Sequence, residues 1–90
     1  MVKHFKIKIT GRVQGVWYRG SMQKKARGLN LTGFTRNVKD GSVYAEAEGE
    51  ESILNELIDW CKKGPELAIV ERVEVEEGAI VGYSSFDILR

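Results

Sequence analysis

A chain of 90 residues with 42% hydrophobic and 30% charged side chains supports one core rather than two, burying roughly 60–65% of the surface its unfolded form exposes. One proline and ten glycines exclude collagen-like, low-complexity and disordered readings. No apolar run approaches the ~18 residues of a membrane span. The single cysteine, Cys61, closes no disulfide within the chain, and the single histidine, His4, argues against a histidine-built metal centre or catalytic dyad.

The start, Met1 to Lys6, lacks the apolar stretch of a secretion signal, so a cytoplasmic location is expected. The net charge of +1 conceals an asymmetry, with residues 1–45 at +9 and residues 46–90 at −8. Two readings stay open: an anionic ligand on the basic half, or interleaved halves that pair their charges. Near-neutrality overall argues against non-specific nucleic-acid binding.

Phe5, Ile7 and Ile9 alternate with Lys6, Lys8 and Thr10, a half-buried strand. A glycine-bearing loop follows from Gly11 to Gly20. Met22, Ala26 and Leu29 then recur at helical spacing, with Ser21 as the expected N-cap and Asn30 as a left-handed residue after the helix. Phe34 to Val38 is a second strand, Asp40-Gly41 a hairpin turn, and Val43, Ala45 and Ala47 the inward set of a third strand that Gly49 is expected to break. Ile53, Leu54, Leu57, Ile58 and Cys61 make the apolar face of a second helix. Glu50 and Glu51 suit its start, Lys62 and Lys63 its end, and Gly64-Pro65 stops it. A strand over about Ala68 to Glu76 follows, with Val73 and Val75 inward. Gly78 to Gly82 turns the chain, and Phe86 and Ile88 mark a last short strand.

The order β-α-β-β-α-β plus one short strand predicts a single α+β domain over residues 1–90. Two helices with one apolar face each need a sheet to cover, which gives a ferredoxin-like sandwich: an antiparallel sheet with both helices on one side. That architecture serves many functions, so function must come from a site.

The informative segment joins the first strand to the first helix: Gly11-Arg12-Val13-Gln14-Gly15-Val16-Trp17-Tyr18-Arg19. Such a junction gathers main-chain N–H groups and a helix N-terminus around one point. Gly15 admits close backbone approach, and Arg19 can fork onto two oxygens of a phosphate or carboxylate. The spacing matches neither a Walker A loop nor G-x-G-x-x-G. On the pattern alone, a tight turn with a solvated Arg remains the alternative. Asn37, near the end of the second strand, reads alone as an ordinary turn residue. In this fold, however, the first two strands run parallel, so Asn37 falls near the loop that ends the first.

Taken together, the two segments resemble the acylphosphatase family. The first signature runs Ile9-x-Gly11-x-Val13-Gln14-Gly15-Val16-x-Tyr18-Arg19, the second Gly33-Phe34-Thr35-Arg36-Asn37-x-x-x-Gly41-x-Val43 and on to Gly49; Ala26, Leu29 and Leu31 fall between them as in that family. Three residues depart from the usual pattern: Tyr18 for Phe, Thr35 for Val or Ala, and Asn30 for Gly. The resemblance implies metal-independent hydrolysis of an acyl phosphate to carboxylate and orthophosphate, with no cofactor and no metal. It implies a substrate-binding loop of Gln14, Gly15, Val16, Trp17, Tyr18 and Arg19, and a catalytic pair, Arg19 holding phosphate and Asn37 orienting the attacking water. A non-catalytic anion-binding or regulatory module of the same fold is the alternative.

The remaining residues are expected to be structural. Cys61 and Trp60 belong to packing, His4 to the surface, and Lys6, Lys8, Tyr44 and Glu46 to a solvated, helix-free side of the sheet. Trp17 either closes the pocket against the acyl group or lies on the surface. An RNA-binding sheet would stack aromatics on the first and third strands, and a metal chaperone would need Cys-x-x-Cys; neither pattern is present. The expected partners are therefore small molecules, with no nucleic acid and no membrane, and a monomer is expected.

Overall fold

In the computed structural model, which describes residues 1–89, the chain runs β1 (Val2–Arg12), α1 (Tyr18–Gly28), β2 (Thr32–Asn37), β3 (Val43–Glu50), α2 (Glu51–Lys63), β4 (Ile69–Gly78) and β5 (Phe86–Ile88). The five strands form one sheet in the order β4-β1-β3-β2-β5. Phe5, Ile7 and Ile9 of β1 pair with Ala47, Ala45 and Val43 of β3. They share one face of the sheet with Met22 and Ala26 of α1 and Leu54, Leu57, Ile58 and Cys61 of α2 in a single core. No helix of the described residues is long and apolar enough to cross a membrane.

The sheet is mixed rather than antiparallel. β1 pairs antiparallel with β3 and β4, and β2 with β3, but β5 lies parallel to β2. The reason is where β4 ends. Gly78 pairs with His4 at the end of the sheet where β1 and β2 begin. Residues 79–85 cross the sheet there, and β5 then has to run in the direction of β2.

That crossing also buries His4, which was expected at the surface. The ring is 1% exposed, and its Nδ1 and Nε2 each lie 2.6 Å from a carboxylate oxygen, of Glu48 and Glu46 respectively. Glu48 accepts in turn from the main-chain N–H groups of Val81 and Gly82, and Tyr83 stacks on the His4 ring with centroids 6.0 Å apart. The helix-free side of the sheet is thus half covered by a strap.

Several other boundaries depart from the sequence pattern. Helix α1 starts at Tyr18, three residues before the expected Ser21 cap; its N-cap is Trp17 in a left-handed conformation (φ 65°) with no side-chain cap. Gly49 lies inside β3, paired with Lys3, instead of ending it, and a Cβ there would sit 2.3 Å from Leu31 Cδ2. Val73 packs on the core, but Val75, further along edge strand β4, is 43% exposed. Asn30 is left-handed as expected (φ 58°), and the Leu31 N–H returns to the Ala26 carbonyl.

The charge asymmetry is largely a matter of strand order. Basic β1 lies between acidic β3 and β4, so Lys6 faces Glu46 and Glu76 and Lys8 faces Glu74 in register. Lys3 of the basic half reaches Glu51 and Glu77 of the acidic half, both at 3.3 Å. The halves interleave and pair.

Candidate active site

The register of β1 shifts between Thr10 and Gly11, a bulge at which Gly11 takes φ 130°. A Cβ there would lie 2.2 Å from the Ile69 carbonyl oxygen of β4, so only glycine lets β1 pass this close to β4 at the bulge. β1 stays paired with β4 as far as Arg12, and residues 13–17 then lead into the N-terminus of α1. Gly15 (φ 74°) and Trp17 (φ 65°) turn the loop back on itself. The first turn of α1 carries no acidic residue, and its leading N–H groups have no intrahelical partner. That end of the helix favours an anion.

Asn37 ends β2 opposite Val43, on the core face of the sheet with Gly33 and Thr35. Parallel β1 and β2 therefore bring it to the same end of the sheet as the loop. One cavity of about 450 Å³ is lined by Val13, Gly15, Val16, Trp17, Tyr18, Arg19, Gly20, Asn37, Leu67 and Ile88. Of the residues expected at the site, Gly15, Val16, Trp17, Tyr18, Arg19 and Asn37 are brought together here.

Gln14 is not among the lining residues. Its side-chain amide donates to the carbonyl oxygens of Val38 (2.7 Å) and Ser42 (2.8 Å), tying the loop to the β2–β3 hairpin that follows Asn37. The hairpin is closed by Asp40, which accepts from the Ser42 hydroxyl and main-chain N–H. Those bonds, with Lys8, draw its carboxyl down to about 2.

The cavity's chemistry is narrow. Among the described residues its lining holds one cation, Arg19, and one carboxamide, Asn37, with no carboxylate, imidazole or thiol. Among the described residues, Arg19 is tethered by one long 3.5 Å bond to the Leu89 carbonyl and makes no ion pair. Asn37 Oδ1 is buried and has no hydrogen-bond donor among the described residues, where buried polar atoms are ordinarily satisfied. The Trp17 ring lies against Gly20, whose Cβ would meet indole carbons at 2.6 Å, and is 76% exposed.

The family model for acylphosphatase matches residues 5–88. The chain is 44% identical over 90 residues to an acylphosphatase of Methylococcus capsulatus, covering 99% of this chain and 98% of that one. The chain belongs to the acylphosphatase family.

Two solved structures agree with the assignment. The acylphosphatase of Coxiella burnetii superposes with a TM-score of 0.95 at 36% identity, covering 98% of this chain and 93% of that one. The acylphosphatase of Bacillus subtilis does so with 0.95 at 33% identity, covering both chains fully. Membership makes the chain an acylphosphatase-type hydrolase.

The departures from the usual acylphosphatase pattern are accommodated. The Tyr18 hydroxyl is buried and donates to the Cys61 carbonyl at 2.7 Å, and that burial holds it well above its ordinary range. Thr35 is buried and donates to the Tyr44 carbonyl at 3.2 Å. Cys61 is a core residue whose thiol burial pushes up to about 12, which leaves it without thiolate reactivity. Leu67 and Ile88 were missed by the sequence reading. Leu67 is the one large apolar residue in the short α2–β4 turn, Gly64 to Ala68, the one local hint; Ile88 reaches the cavity because it pairs with Thr35, two residues before Asn37.

Proposed function

We propose that this chain hydrolyses the carboxyl–phosphate bond of acyl phosphates by holding the phosphoryl group rather than by acid–base exchange. Arg19 and the main-chain N–H groups of Gly15 to Tyr18 bind its oxygens, and Asn37 orients the attacking water. The observation that carries this reading is the cavity shared by Arg19 and Asn37, in which the Asn37 Oδ1 is buried without a protein donor.

The chemistry suits those groups. The leaving carboxylate has a conjugate-acid pKa near ~4, so it departs without a general acid. The transition state is loose, with charge spread over the phosphoryl oxygens, so positioning and fixed dipoles supply most of the acceleration. Water donates one hydrogen bond to Asn37 Oδ1 and its oxygen attacks phosphorus in line. The P–O bond to the acyl group breaks, the electron pair leaves with the carboxylate, and the water's proton passes to a phosphate oxygen. An amide does not titrate at neutral pH, so Asn37 aims the water and accepts no proton. Gln14 acts one step away, holding the hairpin against the loop.

Phosphate release from benzoyl phosphate in the presence of EDTA tests this reading. Removing one preorganised donor costs about 3–4 kcal/mol, so Arg19→Ala is expected to lose nearly all activity, through weakened phosphate binding. Asn37→Ala should lower kcat strongly with little change in KM. Near-normal turnover by Asn37→Ala would remove the water-holding role. Phosphate binding without turnover by the unaltered protein would favour a non-catalytic anion-binding module.

A further inference from the structure

Three apolar side chains from three separate segments surround the polar cradle. Trp17 comes from the β1–α1 loop, Leu67 from the α2–β4 turn and Ile88 from β5, and all three line the cavity that holds Arg19 and Asn37. They are 76%, 72% and 38% exposed. Exposed apolar side chains scattered singly need no explanation, but their convergence on one concave site marks a ligand surface. The size agrees. An apolar cavity of ~150 Å³ holds a benzene, so about 450 Å³ has room for a phosphoryl group and a ring-sized substituent together.

We infer that Trp17, Leu67 and Ile88 form an acyl-group subsite, which selects acyl phosphates bearing an apolar, ring-sized acyl group over short or negatively charged ones. This inference rests on the reading under Proposed function. The phosphoryl group occupies the loop and Arg19, so the acyl group, in line with the attacking water, extends toward the cavity mouth and the apolar trio. Arg19 is the one cation lining the cavity among the described residues, and the phosphoryl group engages it. A second carboxylate on the acyl group would meet Leu67 and Ile88 instead of a partner, and would lose its hydration without compensation.

The rim is also preorganised. Trp17 is held in a left-handed conformation with its ring against Gly20. Ile88 is fixed by the pairing of β5 with β2 and by the Leu89 N–H donating to the Thr35 carbonyl at 2.8 Å. Backbone held in this way loses little freedom when an acyl group docks.

The test compares kcat/KM for benzoyl, acetyl and succinyl phosphate in the unaltered protein, in Leu67→Asn, in Ile88→Thr, and in Val75→Asn as a distant exposed control. Calorimetric binding of benzoylphosphonate and acetylphosphonate is measured alongside. Benzoyl phosphate is expected to be preferred, with succinyl phosphate poorest. Loss of a few tens of Å² of apolar contact changes binding about fivefold. Leu67→Asn and Ile88→Thr should each shrink the benzoyl-to-acetyl ratio by about that factor, and Val75→Asn should leave it unchanged. A ratio that does not move in either rim variant, or succinyl phosphate handled as well as benzoyl phosphate, overturns the subsite. Should no acyl phosphate be hydrolysed at all, the proposed function fails and the phosphonates decide the subsite. Tighter benzoylphosphonate binding that the rim variants abolish upholds it, and equal binding of the two phosphonates overturns it.

Discussion

The side-chain amide of Gln14 donates to the carbonyl of Val38, the residue after Asn37, at 2.7 Å. A second bond to Ser42 at 2.8 Å makes the same amide a bracket between the β1–α1 loop and the strand end that carries the Asn37 carboxamide. A residue outside the cavity thus ties those two parts of the site together.

Gln14→Ala is expected to lower kcat about tenfold, because a small displacement of a positioned group costs up to ~10²-fold. Stability should fall by about 1–2 kcal/mol as two part-buried carbonyls lose donors. A double-mutant cycle with Asn37→Ala separates positioning from general loosening. If Gln14 works by placing Asn37, its effect on kcat should largely vanish once Asn37 is alanine. An undiminished effect in that background would mean that Gln14 serves the loop alone.

Arg19→Lys keeps the charge and discards the fork. A guanidinium presents paired donors to two phosphoryl oxygens, whereas an ammonium is a point charge on a flexible stem. Losing one charged hydrogen bond, worth about 1.5–3 kcal/mol, predicts a fall in kcat/KM of roughly ten- to a hundredfold, together with a weaker inhibition constant for inorganic phosphate. Activity within twofold of the unaltered protein would show that charge alone suffices.

Tyr18→Phe restores the ring usual in the family and removes the hydroxyl that donates to Cys61. The ring keeps its contact with Trp60, whose centroid is 5.2 Å away. The expected loss is about 1 kcal/mol, or about 4–8 °C in Tm for a domain of this size. Burial raises the hydroxyl's folded-state pKa above the ordinary 10.0, so its contribution is fully present below pH 10. Thermal melts at pH 6 and pH 9 should therefore show the same loss.

Local pattern carried the element order and the core. Alternation in β1 and β3 and the i, i+3, i+4 face of α2 each follow from backbone period alone, and Phe5, Ile7, Ile9, Leu54 and Leu57 are buried accordingly. Arg19 and Asn37 came from two signatures that the parallel β1–β2 relation brings to one cavity. What escaped was non-local. The alternation of β1 places His4 on the face away from the core but says nothing of the strap at residues 79–85 that covers it. Nor does helical spacing reveal that α1 is capped four residues early, at the left-handed Trp17 and not at a capping side chain. The parallel pairing of β5, and with it the place of Ile88 at the cavity, follows from where β4 ends and not from any residue within β5.

The strap itself depends on an ionised carboxylate. Burial pushes the Glu48 carboxyl up, but the Val81 N–H, the His4 ring and the Gly82 and Tyr83 N–H groups outweigh it and hold it below the ordinary 4.5. Glu46 beside it is likewise pushed up by burial and drawn down further by Tyr44, His4 and Tyr83. A carboxyl whose folded value is depressed stabilises the fold above its unfolded value, and that contribution is lost as pH falls through the folded value. Glu48→Gln keeps the shape but turns an amide toward main-chain donors, and should cost about 2–3 kcal/mol at pH 7. Urea unfolding across pH should then show a constant gap between the two proteins from pH 7 to about 5, closing below about 4.5 as the native carboxyl takes up its proton. A gap that stays open at pH 3 would mean that shape, and not the charge on Glu48, holds residues 79–85 across the sheet.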